Sequence, residues 1–212
     1  MKNMKLIEKY IIENHNKIKI NSKDISKGDV FLALKGNNVH GNKFIKSSIE
    51  NGAKYCLTDK KIQSKKNNID KIFYVNDTIN FLINLAKKKR KLYKGKVIGI
   101  TGSAGKTTLK ETLSFFLRKK YNVSASQKSY NNLLGVIISL LNSDIKSKFF
   151  IFELGTNNFG EIENLVKLIL PTQVFLTNIQ STHLENFKNK KNIAFEKSNI
   201  FNKKFNTKIK LL

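Results

Sequence analysis

Cysteine and proline each occur once in the 212 residues, and tryptophan is absent. A single cysteine, Cys56, closes no disulfide within the chain. It reads as a small buried residue in a reducing compartment, and the expected location is the cytoplasm. No apolar run approaches the ~18 residues that a membrane-spanning helix needs, so no membrane insertion is expected. The N-terminal stretch from Met1 to Lys17 carries charge every few residues and has no small-residue cleavage site, so it is not a secretory signal. Acidic residues are scarce: 15 Asp and Glu stand against 40 Lys and Arg, a formal net charge of +25. Such a balance raises nucleic acid as a partner. Arginine is nearly missing too, however, with only Arg90 and Arg118. Bidentate recognition of phosphate and guanine favours the guanidinium fork, so no nucleic-acid partner is expected. Lys, Asn and Ile crowd the chain and share A/T-rich codons, which points to genome composition rather than to selection for a polyanion.

What is present is enough for a real core. At ~150 residues per domain, the length fits one large domain or two modest ones. Hydrophobic residues make up 40% and the mean hydropathy is −0.34, which argues against wholesale disorder. In the first segment, to about Tyr93, helical spacing covers Leu6–Ile12, Phe44–Asn51 (stopped at Gly52) and Thr78–Tyr93. The last of these has Ile79, Leu82, Ile83 and Ala86 on one face and Thr78 as N-cap. Strands are expected at Asp29–Leu34, Tyr55–Thr58 and Ile72–Val75, with a loop or frayed helix over Lys60–Lys71. The run Lys87-Lys88-Lys89-Arg90-Lys91 reads as a solvated helix end whose cations face the negative end of the dipole.

From Lys96 onward, strands alternate with helices, the pattern of a parallel α/β sheet. Strands are expected at Lys96–Thr101, Asn122–Ala125, Phe149–Glu153 and Val174–Thr177. Helices are expected at Lys106–Lys119, Leu133–Leu141, Ile162–Leu170 and Ile193–Phe201. The first of these helices places Leu109, Leu113, Phe116 and Leu117 on one side, and Pro171 stops the third. A last possible strand lies within Lys203–Leu212.

The strongest local signal is Thr101-Gly102-Ser103-Ala104-Gly105-Lys106-Thr107-Thr108, set between a buried strand and an amphipathic helix. Glycines let the backbone curl so that N–H groups point at phosphate oxygens, and the helix N-terminus adds positive partial charge. Lys106 can reach β- and γ-phosphates, and the Thr107 hydroxyl can hold Mg²⁺. The strict eight-residue form has glycine where this chain has Ile100, so the shorter G-x-x-G-K-T is what is present. Glu153, in Glu153-Leu154-Gly155-Thr156-Asn157, ends an apolar strand on the edge that faces the ligand crevice of an open α/β sheet. There it is either a Mg²⁺ ligand or an ordinary exposed glutamate. His183 follows the next strand in Thr177–His183 and is either a ligand or a surface residue. Lys197, after Glu196, is by composition one lysine among many.

Taken together, these motifs resemble the Mur ligases, ATP-dependent amide ligases that build the peptidoglycan precursor. The 101–107 loop resembles their ATP loop. Asn21–Gly36 is similar to the substrate-domain motif of the members that add the third residue and the terminal dipeptide. Glu153-Leu154-Gly155 followed by Gly160-Glu161-Ile162 resembles the branch that joins D-alanyl-D-alanine to UDP-MurNAc-tripeptide. Ser129–Val136 is similar to the family's Asn-Asn-x-x-Gly-Val stretch, and His183–Phe187 to its metal-binding histidine segment; the carbamylated lysine falls on Lys197. The resemblance implies ATP and Mg²⁺ as cofactors. ATP would be held by Gly102, Ser103, Ala104, Gly105, Lys106, Thr107 and Thr108, and the metal by Thr107, Glu153 and His183. Lys106 and Lys197 would be catalytic, and Ser22, Asn42, Asn131 and Asn132 would bind substrate.

The chain departs from the family pattern with His40-Gly41-Asn42 for Asp-Gly-His and Asn21-Ser22-Lys23 for Asp-Ser-Arg. Family members are about twice as long and carry a third domain, so the chain is expected to be truncated and inactive as a ligase by itself. The reading is therefore an α/β fold in two parts. Residues 1–93 form a UDP-substrate domain, and 94–212 form an incomplete P-loop ATPase domain with a mainly parallel sheet, in a monomer. Two rivals stand beside it: a non-catalytic nucleotide-binding fragment, and another amide ligase with this ATP core, such as a folylpolyglutamate synthetase.

Overall fold

The computed structural model describes residues 4–61, 70–127, 130–182, 184–204 and 206, which form two compact units, Met1–Leu85 and Ala86–Leu212. The first unit opens with α1 (Met4–Glu13) and a short β1 (Ile18–Lys19), followed by β2 (Val30–Ala33), α2 (Ile45–Glu50), β3 (Tyr55–Thr58) and β4 (Ile72–Tyr74). Its sheet has the order β1-β2-β3-β4 and is parallel throughout. A two-residue strand such as β1 leaves too little alternation to be read from sequence. Phe31, Ala33, Ile45, Cys56 and Ile72 pack together as the core on one side of this sheet. The expected loop over Lys60–Lys71 falls largely on residues 62–69, outside the described residues.

Helix α3 (Thr78–Leu92) crosses the division between the units. Its N-cap is Asp77 rather than Thr78: the Asp77 carboxylate accepts the Asn80 N–H at 2.9 Å. Leu82, Leu85 and Ala86 are buried on this helix, as is Tyr93 just beyond its end, whereas Ile79 is exposed. The expected solvated end holds for Lys87, Lys88 and Lys91, which are exposed, and is corrected for the other two. Lys89 and Arg90 are buried. Lys89 Nζ donates to the Leu141 carbonyl at 2.6 Å, and Arg90 donates to the carbonyls of Ile169 and Leu170. Those carbonyls end two helices of the second unit, where orphan acceptors and the negative dipole end attract cations. The last turns of α3 therefore belong to the second unit.

That unit continues through β5 (Lys96–Thr101), α4 (Lys106–Arg118), β6 (Val123–Ala125), α5 (Leu133–Asn142), β7 (Phe149–Glu153), α6 (Glu161–Ile169) and β8 (Gln173–Leu176). It closes with α7 (Leu184–Phe187), α8 (Lys190–Ser198) and a 3₁₀ turn at Asn199–Phe201. The sheet order is β6-β7-β5-β8, all parallel, so both faces need covering. Ile98, Ile100, Phe149 and Ile151 face α4, where Leu109, Leu113 and Leu117 pack against them. Phe116, expected on that side, is 60% exposed next to Phe115 at 61%. Phe150 stacks on Tyr93 with ring centroids 3.6 Å apart. Helix α6 ends at Leu170 in a left-handed conformation immediately before Pro171, which cannot continue a helix. Lys203 and Lys204 form a turn, and the rest of the possible last strand lies outside the described residues except Asn206.

Candidate functional site

Side chains alternate along a strand, so Glu153 shares the face of Phe149 and Ile151, the face that α4 covers. This puts its carboxylate beside the first turn of α4. The Thr107 hydroxyl donates to Glu153 Oε2 at 2.7 Å, and Asn131 Nδ2 donates to Oε1 at 2.9 Å. Glu153 is 2% exposed, so the ordinary exposed glutamate is excluded. Lys110, one helical turn beyond Thr107, is fully buried; its Nζ donates to the Ser126 carbonyl at 2.9 Å and lies 4.0 Å from Glu153 Oε2. Sequence reasoning missed Lys110, although its i+3 spacing from Thr107 places both on one helix face.

The loop between β5 and α4 is curled by two left-handed glycines, with φ of 147° at Gly102 and 78° at Gly105. A Cβ on Gly102 would lie 1.9 Å from the Thr177 hydroxyl, so only glycine fits there. The segment after β8 holds the loop from outside. The Ser103 N–H donates to the Asn178 carbonyl at 3.0 Å, the Ala104 N–H to Asn178 Oδ1 at 2.9 Å, and the Thr177 hydroxyl to the Ala104 carbonyl at 2.6 Å. Among the described residues of this segment, Thr177 and Asn178 make these contacts. His183 lies outside the described residues.

Two lysines converge on one oxygen. Lys106 Nζ lies 2.9 Å from the Gly102 carbonyl, and Lys197 Nζ, from α8, lies 3.1 Å from the same atom. Burial and the nearby Lys106 cation push the Lys197 ammonium down to about 8, with Glu196 opposing the shift. Like charges gathered at one point leave a site for an anion. They line a cleft of about 120 Å³ with Ser103, Asn131, Asn132, Thr156 and Glu161. Asn132 also caps α5, accepting the Gly135 N–H at 2.9 Å. Thr108 is exposed on the first turn of α4.

The cleft's far wall is the loop from Gly155 to Gly160. Glu161 Oε2 accepts the N–H groups of Asn157 and Asn158 at 2.7 and 3.2 Å, which help hold its carboxyl below the usual range although burial opposes them. Glu196, 1% exposed, accepts the N–H groups of Gly160 and Ile162, each at 2.9 Å, and the Thr156 hydroxyl at 3.3 Å.

Ser22 and Asn42 belong to the first unit. Ser22 opens a 3₁₀ turn, and its carbonyl accepts Asn51 Nδ2 at 3.1 Å. The Asn42 N–H donates to His40 Nδ1 at 3.1 Å; Nε2 of that ring therefore carries the proton and donates to Asp59 at 2.9 Å.

The oxygen donors Thr107 and Glu153 suit a hard cation that keeps waters and phosphate oxygens among its ligands, as Mg²⁺ does. Among the described residues, no cluster of three or more His, Cys, Asp or Glu is poised for a metal. No helix among them is long and apolar enough to cross a membrane.

Two family models match: the Mur ligase middle domain over residues 100–212, and the Mur ligase family catalytic domain over residues 15–93. The UDP-N-acetylmuramoyl-tripeptide–D-alanyl-D-alanine ligase of Rickettsia prowazekii is 40% identical over 188 residues, covering 89% of this chain and 41% of the relative. The enzyme of the same name from Borreliella burgdorferi is 34% identical over 185 residues, covering 82% and 39%. A crystal structure of MurF from Acinetobacter baumannii superposes with a TM-score of 0.75 at 32% identity, covering 87% of this chain and 40% of that one. A MurF ligase from Thermotoga maritima in complex with ADP gives a TM-score of 0.74 at 33% identity, covering 90% and 43%. The chain thus spans about two fifths of the length of the relatives it matches. Its second unit carries the glycine loop between β5 and α4 that the middle-domain model covers from residue 100 on, and the chain belongs to the Mur ligase family.

Proposed function

We propose that the chain supplies the substrate- and nucleotide-binding parts of an ATP-dependent amide ligase that joins D-alanyl-D-alanine to UDP-MurNAc-tripeptide. The observation that carries this reading is the meeting of Thr107 with Glu153 at 2.7 Å, beside two lysines on the Gly102 carbonyl. A cation site and a polyphosphate site are thereby adjacent. The names of the Rickettsia and Borreliella relatives support the choice of substrates.

In this reading residues 1–93 take the UDP end through Ser22 and Asn42, and residues 94–212 take ATP. The curled loop from Gly102 to Thr108 wraps the phosphates with its N–H groups, and Lys106 leaves the Gly102 carbonyl for the β- and γ-phosphates. Thr107 and Glu153 would hold Mg²⁺, joined by His183, and when bound it would supply positive charge against the transferred phosphoryl group. Asn131 and Asn132 face the tripeptide, whose terminal carboxylate attacks the γ-phosphorus and displaces ADP to become an acyl phosphate. The dipeptide amine then attacks the acyl carbon, the C–O bond to phosphate breaks, and the amine proton leaves with the departing phosphate to give the amide. With an ammonium pushed down to about 8, Lys197 has an appreciable neutral fraction near neutral pH. That is the form that takes up CO₂ as a carbamate, in keeping with the family resemblance. The reading places the protein in the cytoplasm as a monomer.

The test is calorimetry on residues 1–212. ATP with Mg²⁺ should bind, and Lys106→Ala should abolish binding, because no other side chain of the loop reaches the β- and γ-phosphates. Unchanged affinity in the variant would sink the phosphate-loop assignment. UDP-MurNAc-tripeptide should bind the same chain and bind more weakly to Asn42→Ala; equal binding would remove Asn42 from the substrate site.

A further inference from the structure

We infer that Glu196 is a positioning residue: its buried carboxylate ties α8 to the start of α6, and this holds Lys197, the next residue, against the glycine loop. The inference rests on the nucleotide-site reading above for its consequence, though not for its geometry.

Adjacent residues on a helix point about 100° apart, so Glu196 and Lys197 reach different neighbours. Glu196 turns to the far wall of the cleft, where Oε1 accepts the Ile162 N–H at 2.9 Å and the Thr156 hydroxyl at 3.3 Å, and Oε2 accepts the Gly160 N–H at 2.9 Å. Lys197 turns to the near wall and the Gly102 carbonyl at 3.1 Å. One dipeptide thus joins the β5–α4 loop to the β7–α6 loop. Both side chains are nearly inaccessible, at 1% and 2% exposure, so neither is a solvated surface charge. The anchor is strong because an ionised carboxylate meets the first free N–H groups of α6, where the helix dipole also favours negative charge.

Alternative roles for Glu196 fit less well. Among the described residues its carboxylate hydrogen-bonds with the 156–162 segment and with neither Thr107 nor Glu153, so it is not part of that pair. Without it, the buried Ile162 N–H and the half-buried Gly160 N–H lose their acceptor, and the wall and α8 separate. Lys197 would then lose its fixed place over the cleft. Glutamine at this position keeps an acceptor for Ile162 and Thr156 but presents an amide N–H₂ to the Gly160 N–H, so it should rescue only in part.

The experiment compares the full chain with Glu196→Ala, Glu196→Gln and Leu168→Ala. Leu168 is a buried core residue of α6 and serves as the control for lost stability alone. The first readout is the rate at which Lys197 is acylated by acetic anhydride, followed by peptide mass spectrometry, which needs no nucleotide. Glu196→Ala should label at least tenfold faster than the parent, Glu196→Gln at an intermediate rate, and Leu168→Ala at the parental rate. The second readout is ATP–Mg²⁺ affinity by calorimetry, which should weaken about tenfold in Glu196→Ala and less in Glu196→Gln. Parental labelling in both Glu196 variants, or equal acceleration in Leu168→Ala, overturns the inference. A parent chain that binds no ATP overturns the proposed function and leaves the labelling result to decide the role of Glu196.

Discussion

The Thr107 hydroxyl and the Glu153 carboxylate meet at 2.7 Å although 46 positions separate them in the chain. Two parallel strands, β5 and β7, bring them together by ending at the same sheet edge, in register from Lys96↔Phe149 to Ile100↔Glu153. Helix α4 starts from the loop after one strand, and Glu153 closes the other.

In the proposed reading, this pair would make the metal's contribution separable from that of the phosphates. Glu153→Gln keeps the size of the side chain and an acceptor for Thr107 but removes the charge. Calorimetry should show ATP binding that no longer strengthens on adding Mg²⁺, a loss of roughly 1–3 kcal/mol in the Mg²⁺-dependent part. Full Mg²⁺ enhancement in the variant would remove Glu153 from the cation site.

Gly102→Ala should destabilise the second unit. The new methyl would meet the Thr177 hydroxyl at 1.9 Å, on a residue whose φ is 147°. Strain of about 1–3 kcal/mol is expected, with more from the displaced Thr177. Denaturant unfolding checks it, and Thr177→Gly in the same chain should recover part of the loss by opening the space.

Lys89 makes stability rise with pH in an unusual window. Burial pushes its ammonium from 10.5 down to about 8. Between those values the unfolded chain binds the proton that the folded chain has lost, so unfolding free energy increases as pH rises from about 8 to 10.5. Relative to Lys89→Met, the parent should gain on the order of 3 kcal/mol across this range. Parallel stability curves for the two proteins would show that Lys89 does not titrate there.

Cys56 should be inert in the folded chain. It is fully buried in the core of the first unit, and burial pushes its thiol up to about 12. Ellman's reagent at pH 8 should react slowly with native protein and at once after addition of urea. Rapid native labelling would place Cys56 nearer the surface than its packing against Phe31 and Ile72 allows.

The parallel strands were the most legible elements, because β5 and β7 are apolar runs buried on both faces and need no particular partner to be recognised. Tyr55–Thr58, Lys96–Thr101 and Phe149–Glu153 form strands at their expected bounds. Helix faces were less legible. Ile79 and Phe116 satisfy helical spacing yet stand in solvent, since spacing defines a stripe but not its width or the neighbour that covers it. Thr78 lost the cap to Asp77 because either residue type serves and only the local chain path chooses.

The sequence by itself determined the α/β class, the strand–loop–helix order around Gly102–Thr108, and the candidates Lys106, Thr107 and Glu153. These follow from local periodicity, from glycine's access to positive φ, and from the rule that parallel strands present their carboxyl ends together. Only the tertiary structure decided what the isolated charges do. Lys89 and Arg90 sit in a run that reads as solvent-facing, yet they close the carbonyl ends of α5 and α6. Glu196 and Lys197 look like any Glu-Lys pair, yet they span the two walls of the cleft. The reason is that a charge is buried only where distant backbone groups supply its hydrogen bonds. Those groups, the ends of α5 and α6 and the Gly102 carbonyl, come together only when the sheet has formed.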